Sequence, residues 1–354
     1  MSQNTYHDMV KKQNIEKLRV MEQNLPPFCT LFFRGISDRV STRTMVAYAY
    51  DLQIFLHYAA TLILSNPKNP IDIKSLNVQC LDQITKFDIE NYMEYLSLYQ
   101  GEDGMEHTND ARGKGRKLSS LKSLYNYFYE SEMIKTNPAS IVHVPKYHEK
   151  TIIRLEPNEV AELLDLIENG SAKTSKHQKS YHDITMIRDL ALITLLLGTG
   201  IRVSECVGLN LTDLDFDNGA IRIIRKGGNE ANIYFGDEVE DALKAYLEQR
   251  TNIIPLSGHE NALFLSIQNR RLTVRAVENL VKKYASQVTS LKKITPHKLR
   301  STYGTELYRE SNDIYLVASI LGHKDVNTTK KHYASMDEEK KRRAANIVKL
   351  RKGK

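Results

Sequence analysis

Five side chains near the middle and end of this chain are of the types that a metal-independent attack on a phosphodiester uses. Thr-Pro-His-Lys-Leu-Arg supplies His297 and Arg300, Leu-Gly-His-Lys supplies His323, and Lys-His-Tyr-Ala supplies Tyr333. Well upstream, Thr-Gly-Ile-Arg-Val-Ser-Glu supplies Arg202 together with Glu205. A guanidinium fork matches two non-bridging phosphate oxygens at once. An imidazole donates hydrogen bonds or moves protons near neutral pH. A phenol attacks phosphorus when a base takes its proton or a positive field steadies its anion.

Each residue also has an ordinary reading. Arg202 follows Gly198-Thr199-Gly200, a glycine break after an apolar helix, and is either a phosphate ligand or the partner of Glu205 on the same helical face. Thr295 and Pro296 open a helix, which sets His297 and Arg300 on one face of its first turn, where free N–H groups already favour an anion. Solvated side chains at a helix cap fit that pattern too. His323 follows Gly322, a helix terminator. Tyr333 is one of 19 tyrosines and by itself reads as core or surface. Lys226 stands at a Lys-Gly-Gly hairpin tip, either solvated or reaching out to protonate a leaving oxygen.

The elements that must hold these groups are mostly helical. Residues 1–25 are polar with a weak helical pattern that Leu25-Pro26-Pro27 ends. Apolar spacing predicts a helix from Ser41, a second from Lys86 to Tyr99 and a third from Arg116 to Glu132. Gly101 to Gly115 reads as a charged loop, and no strand is expected before about residue 215. Asn137-Pro138 closes the helical part, and Val144 to Lys150 reads as an extended linker. Beyond it, Leu155 to Val160 starts a helix, Gly170 to Ser180 is a polar insertion, and Ile184 to Gly198 is apolar nearly all round, as a core helix is. Ala220–Arg225 and Ala231–Phe235 flank Lys-Gly-Gly-Asn as a β-hairpin, with a further short strand expected at Leu263–Ser266. A helix from Asp313 to Leu321 and a short one capped by Asn327 or Thr328 complete the reading.

Composition sets the partner class. The net charge is +7 over 354 residues, yet Lys282 to Lys354 alone holds 18 Lys and Arg against 7 Asp and Glu. That segment reads either as a surface for a polyanion or as a solvated helix with a basic tail. No apolar run approaches the ~20 residues of a membrane span. Cys29, Cys80 and Cys206 have neither disulfide-framework nor metal-ligand spacing, which fits a reducing cytoplasm.

Taken in order, Arg, Lys, His-x-x-Arg, Gly-His and Tyr behind a helical front part resemble the tyrosine recombinases, the integrase family, and its Xer-type members most. TGIRVSE, TPHKLRSTYGTEL, ILGHKDVNTTKKHYA and the Lys-Gly hairpin carry the resemblance over about residues 30–340, although Gly170–Ser180 is longer than is common and residues 1–25 lack an obvious counterpart. It implies a mainly α chain with a small β-hairpin or sheet in the C-terminal domain (α+β), arranged as a two-domain DNA clamp. The expected parts are an extension at 1–25, a helical core-binding (SAM-like) domain at 26–145, a linker at 146–154, a catalytic domain at 155–337 and a basic tail at 338–354 that exchanges between protomers.

In that scheme Tyr333 attacks the DNA to form a 3′-phosphotyrosyl link and frees a 5′-hydroxyl, which a later attack reverses on the partner duplex. Arg202, Arg300 and His323 would meet the charge on phosphorus oxygens, His297 is the candidate base, Lys226 the candidate acid and Glu205 a support. Neither a metal nor another cofactor is expected, since one phosphodiester becomes another. Expected partners are double-stranded DNA at a specific site, a homo-tetramer on two sites, and an accessory DNA translocase or second recombinase, in the cytoplasm on the nucleoid. Arg43, Lys117 and Lys122 are the candidate groove contacts. Three alternatives are a type IB topoisomerase, which the separate front domain disfavours, a non-catalytic DNA-binding relative, and a metal-dependent nuclease, which would want clustered carboxylates.

Overall fold

Short oxygen-bearing side chains start many of the helices, because an N-cap oxygen satisfies N–H groups that have no partner within the helix. The computed structural model describes residues 5–64, 71–101, 104–144, 152–170, 176–225, 228–323 and 325–326. The chain divides into two compact units, Met1–Glu149 and Lys150–Lys354, and the fold is mainly helical with small sheets, an α+β chain.

In the first unit, Thr5 and Asp8 form a capping box that opens α1 (Tyr6–Glu22). α1 stops before Leu25-Pro26-Pro27, as expected, and α2 (Pro27–Ile36) begins on the second proline. Ser41 caps α3 (Thr42–Tyr58), and Thr85 with Asp88 boxes the start of α4 (Lys86–Tyr95). The glycine-rich stretch read as a loop instead carries a short antiparallel hairpin, β1 (Tyr99–Gln100) with β2 (Glu106–His107), and then the first turns of α5 (Ala111–Glu130), capped by Asp110. The expectation of no strand before residue 215 is therefore corrected. Met45, Val46, Ala49, Leu52 and Leu56 recur at helical spacing on α3 and are buried, and they share one core with Phe28, Phe32, Leu121, Leu124 and Phe128.

One charge cluster sits inside this unit. Asp51 on α3 is buried, and Lys117, only 6% exposed, reaches its Oδ1 at 3.3 Å while Arg116 binds Oδ2. Lys117 thus spends its charge on the core of the unit and is not presented to a DNA groove, which corrects its place among the candidate contacts. The reason is local: it lies on the inward face of α5, between the buried Gly115 and Leu118. Asp51→Ala is expected to lower the stability of this unit by ~3–5 kcal/mol, the scale for stranding a buried charge. Urea unfolding of the full chain followed by circular dichroism checks it, and an unchanged first transition would contradict it.

In the second unit, α6 (Pro157–Asn169) is followed by α7 (Lys176–Thr199), α8 (Val203–Gly208) and three antiparallel strands in the order β3 (Leu214–Asp215), β4 (Ala220–Ile224), β5 (Glu230–Tyr234). Ile221 faces Ile233 and Ile223 faces Ala231 across the hairpin. α9 (Asp237–Thr251), α10 (Val274–Val288), α11 (Pro296–Ser311) and α12 (Ile314–Leu321) complete it. Leu265 pairs only as an isolated bridge with Arg271, so the short strand expected at Leu263–Ser266 does not form. α7 is the central helix: Ala191, Leu192, Ile193, Leu195 and Leu196 are all fully buried. Asp189 on it accepts from Thr185, Arg188 and, at 3.1 Å, the Tyr284 hydroxyl of α10, so this buried carboxylate is satisfied.

The start of α6 is tied to α11 and to the segment that leads into it. Leu155 N donates to Thr302 Oγ1 at 3.0 Å, Lys292 pairs with Glu159, and Arg309 lies 3.6 Å from Glu156. α12 in turn packs on α11 through Tyr308, Val317 and Leu321. Among the described residues no helix is long and apolar enough to cross a membrane.

Candidate active site

The site begins where α7 stops. Gly200 takes a left-handed φ of +62°, and a Cβ placed there would come within 2.3 Å of the Tyr303 ring, so both conformation and space require glycine. Two residues on, Arg202 is the N-cap of α8. Glu205 binds it twice: the Arg202 N–H donates to Oε2 at 2.7 Å and Nη1 donates to Oε1 at 2.8 Å. The carboxylate is buried while the guanidinium stays partly exposed. The two readings left open by the sequence are thus compatible, with Glu205 orienting a fork whose Nη2 continues to Gly322 O at 3.3 Å.

α11 brings the second arginine. Pro296 occupies its first position, His297 is exposed on the opening turn, and Arg300 is buried at 5% exposure. Thr295 holds the N-cap position but its hydroxyl makes no capping bond there. Arg300 Nη1 donates to Gly200 O at 2.6 Å, and Nη2 donates to Leu321 O. One side chain therefore joins the end of α7 to the end of α12.

α12 is capped at both ends. Asp313 accepts from the N–H groups of Tyr315 and Leu316. Gly322 is left-handed at φ +61°, and the Gly322 and His323 N–H groups fold back to Ser319 O and Ala318 O. The Ile320, Leu321 and Gly322 carbonyls would be orphans, and arginines take them in succession, one of them also adding a second bond to Ser319 O. Arg225 Nη1 donates to Ser319 O at 3.3 Å and its Nη2 to Ile320 O at 2.8 Å, Arg300 takes Leu321 O, and Arg202 takes Gly322 O. Three guanidiniums from β4's end, α8's cap and α11 thus meet at the negative end of one helix dipole, immediately before His323.

Sequence reasoning missed Arg225. Its partners are backbone carbonyls, which leave no mark in a sequence, and its only signal is its place directly before Lys226. Lys226, Tyr333 and the tail at 338–354 lie outside the described residues. Tyr303 borders the cluster, but burial raises its phenol, the wrong direction for a nucleophile. The Cys206 thiol beside Glu205 is likewise pushed up by burial and is chemically quiet. Of the groove candidates, Arg43 is exposed on the first turn of α3 and Lys122 is half-buried, its Nζ 3.4 Å from Ser140 O.

Residues 154–340 match the phage integrase family. The chain is 30% identical over 305 residues to the tyrosine recombinase XerC of Leptospira interrogans, covering 86% of each chain. It is 28% identical over 365 residues to the tyrosine recombinase XerS of Streptococcus thermophilus, covering 96% of this chain and all of that one. Among solved structures, the fold resembles the Tn1549 transposon integrase in complex with transposon right end DNA, with a TM-score of 0.64 at 22% identity over 89% of this chain and 99% of that one. It also resembles the XerH site-specific recombinase bound to its difH substrate, with a TM-score of 0.59 at 20% identity over 86% of this chain and 78% of that one.

Proposed function

The chain belongs to the phage integrase family and is a Xer-like tyrosine recombinase, an enzyme of site-specific recombination, and from that premise we propose that the arginine cluster at the end of α12 is its DNA-cleaving centre. The observation that carries this is the meeting of Arg202 and Arg300 on consecutive carbonyls, Leu321 O and Gly322 O, directly before His323. A scissile phosphate seated there trades half-charged carbonyls for fully charged oxygens, so the two forks gain when DNA arrives.

Tyr333 is the nucleophile. Its phenol oxygen attacks phosphorus, the bond to the 5′-oxygen breaks, and a 3′-phosphotyrosyl link and a 5′-hydroxyl result. A free phenol has a pKa of ~10, so His297 serves as the base that takes its proton. Arg202 and Arg300 neutralise the charge gathering on the non-bridging oxygens, and His323 donates a further hydrogen bond. Lys226 gives its proton to the leaving oxygen. Glu205 touches no substrate and aims Arg202. The released 5′-hydroxyl of a second duplex then attacks the phosphotyrosyl bond, regenerating Tyr333. The number of phosphodiesters is unchanged, so no external energy source is needed.

The partner is double-stranded DNA carrying a specific site, bound largely through its phosphates, with Arg43 and Lys122 on the helical front domain as groove or backbone contacts. Four protomers act on two sites, with the tail at 338–354 passing between neighbours, and a DNA translocase or second recombinase is the candidate accessory. Chromosome-dimer resolution and integration or excision of a mobile element both use this chemistry.

A duplex selected for affinity to the full chain from a random-sequence pool, then nicked beside its cleavage position, tests the reading. Incubation in excess chelator is expected to trap a covalent protein–DNA adduct. Tight binding without any adduct would instead favour the non-catalytic reading.

A further inference from the structure

Lys117 turns into the core of the first unit, and its neighbour Arg116 does the opposite. Both are bound to the same buried carboxylate: Lys117 Nζ lies 3.3 Å from Asp51 Oδ1, and Arg116 Nη1 donates to Oδ2. One negative charge therefore faces two positive ones. The buried lysine is enough to neutralise the buried carboxylate. The Arg116 side chain is 49% exposed, and Asp51 is its one hydrogen-bonding and ionic partner among the described residues. The cluster thus carries a surplus positive charge at the protein surface. With Nη1 held, Nε and Nη2 remain, the two parallel donors on one side of the fork.

The face around Arg116 suits a nucleic acid. Arg112, Arg116, Ser119, Ser123 and Asn126 fall within an arc of about 80° on α5 at 3.6 residues per turn. No acidic side chain stands between Ala111 and Tyr129, a stretch that also holds Lys114, Lys117 and Lys122. Serine is short, so along this stripe the helix backbone can come close to a groove floor that arginine reaches. The major groove of DNA admits an α-helix, and guanine presents two acceptors there, O6 and N7, that match an arginine fork.

We propose that Arg116 reads a guanine in the recombination site, with Asp51 fixing the plane of its fork. The inference rests on the reading of this chain as a binder of a specific duplex. A phosphate contact needs charge and tolerates many angles, so a mobile lysine serves it well. Tying a surface arginine to a buried carboxylate offsets part of its charge and sets its orientation, and orientation is what a base edge demands. Arg116 is the specificity-determining residue, Asp51 positions it, and Lys117 keeps Asp51 neutralised when the fork engages DNA.

The test uses the full chain and the selected duplex, with each base pair changed singly and affinity measured by titration. The unaltered chain should lose ~10- to 100-fold at one G·C pair, the scale of a bidentate contact. Replacing that guanine by 7-deazaguanine, which lacks the N7 acceptor, should weaken binding as well. Arg116→Ala should discriminate less than about 3-fold at that pair while keeping its preferences at the others. Arg116→Lys keeps the charge, and so the salt dependence, yet should lose most of the same discrimination. Circular dichroism checks that the variants are folded, as expected while Lys117 still pairs with Asp51, and Arg116→Lys carries the test if alanine melts the unit. Uniform weakening across all duplexes, with a shallower salt slope, would make Arg116 a phosphate contact and overturn base reading. Full discrimination in either folded variant overturns it too. If the unaltered chain itself prefers no sequence, the site-specific reading fails and this inference with it.

Discussion

Tyr333→Phe is expected to abolish the covalent adduct while leaving affinity for the selected duplex near that of the unaltered chain. The substitution removes one oxygen and keeps the ring, so contacts of shape survive and the nucleophile does not. Loss of the attacking atom in a covalent mechanism costs at least ~10⁴-fold, because no neighbouring group can form the same intermediate. Trapping on the nicked duplex, read by denaturing electrophoresis, measures the adduct, and titration with intact duplex measures binding. Adduct retained in the phenylalanine variant would move the nucleophile elsewhere. Tyr303 is a poor substitute, since it packs against Gly200 and burial raises its phenol.

The second large effect is at Arg300. Arg300→Lys is expected to slow adduct formation by ~10²–10³-fold, the cost of losing one preorganised donor to a developing oxyanion. A lysine keeps the charge but cannot hold Gly200 O and Leu321 O while also offering a planar edge to phosphate. Arg300→Ala adds a stability loss of ~1–3 kcal/mol, because it leaves buried carbonyls without donors. The two contributions separate with a substrate whose non-bridging oxygen is replaced by methyl. That phosphonate carries no charge to neutralise, so its cleavage should depend far less on Arg300, whereas a purely structural defect would slow both substrates alike. An undiminished rate for Arg300→Lys on ordinary DNA would remove Arg300 from the chemistry.

What the chain made legible was punctuation. Ser41, Thr85, Asp313, Pro296 and Gly322 sit at the ends of helices because capping and left-handed termination are local chemistry that a sequence carries openly. The β4–β5 hairpin was readable for the same reason, with Ile221 and Ile223 alternating on one strand and Ala231 and Ile233 facing them on the other. Less readable was α5, whose Arg-Gly-Lys-Gly opening looks like loop. Each glycine costs the helix about 1 kcal/mol relative to alanine. The Asp110 cap and the burial of Leu118, Leu121 and Leu124 outweigh that. Leu25-Pro26-Pro27 does lie past the end of α1, but proline is also well suited to a first helical position, and α2 starts on Pro27.

Lys117 was misplaced because buried lysine is rare, and its partner Asp51 stands on another helix. In the candidate site, residue types and order could be read, as could the Arg202–Glu205 pair at three-residue spacing. The carbonyl end that gathers three arginines could not. It is made of backbone, and only the fold decides which backbone a side chain meets.

That helix end behaves as a dummy anion. A cluster of guanidiniums with nothing negative before it would repel itself apart or collect whatever anion the solvent offers. Here the C-terminus of α12 supplies about half an elementary charge at a fixed position, enough to hold the forks in place but weaker than a phosphodiester. The resting protein is thereby armed without being loaded. On the function proposed above, a ligand of fuller charge that fits the same spacing is expected to displace these internal contacts, so that DNA binding at the cluster is an exchange reaction rather than a simple capture.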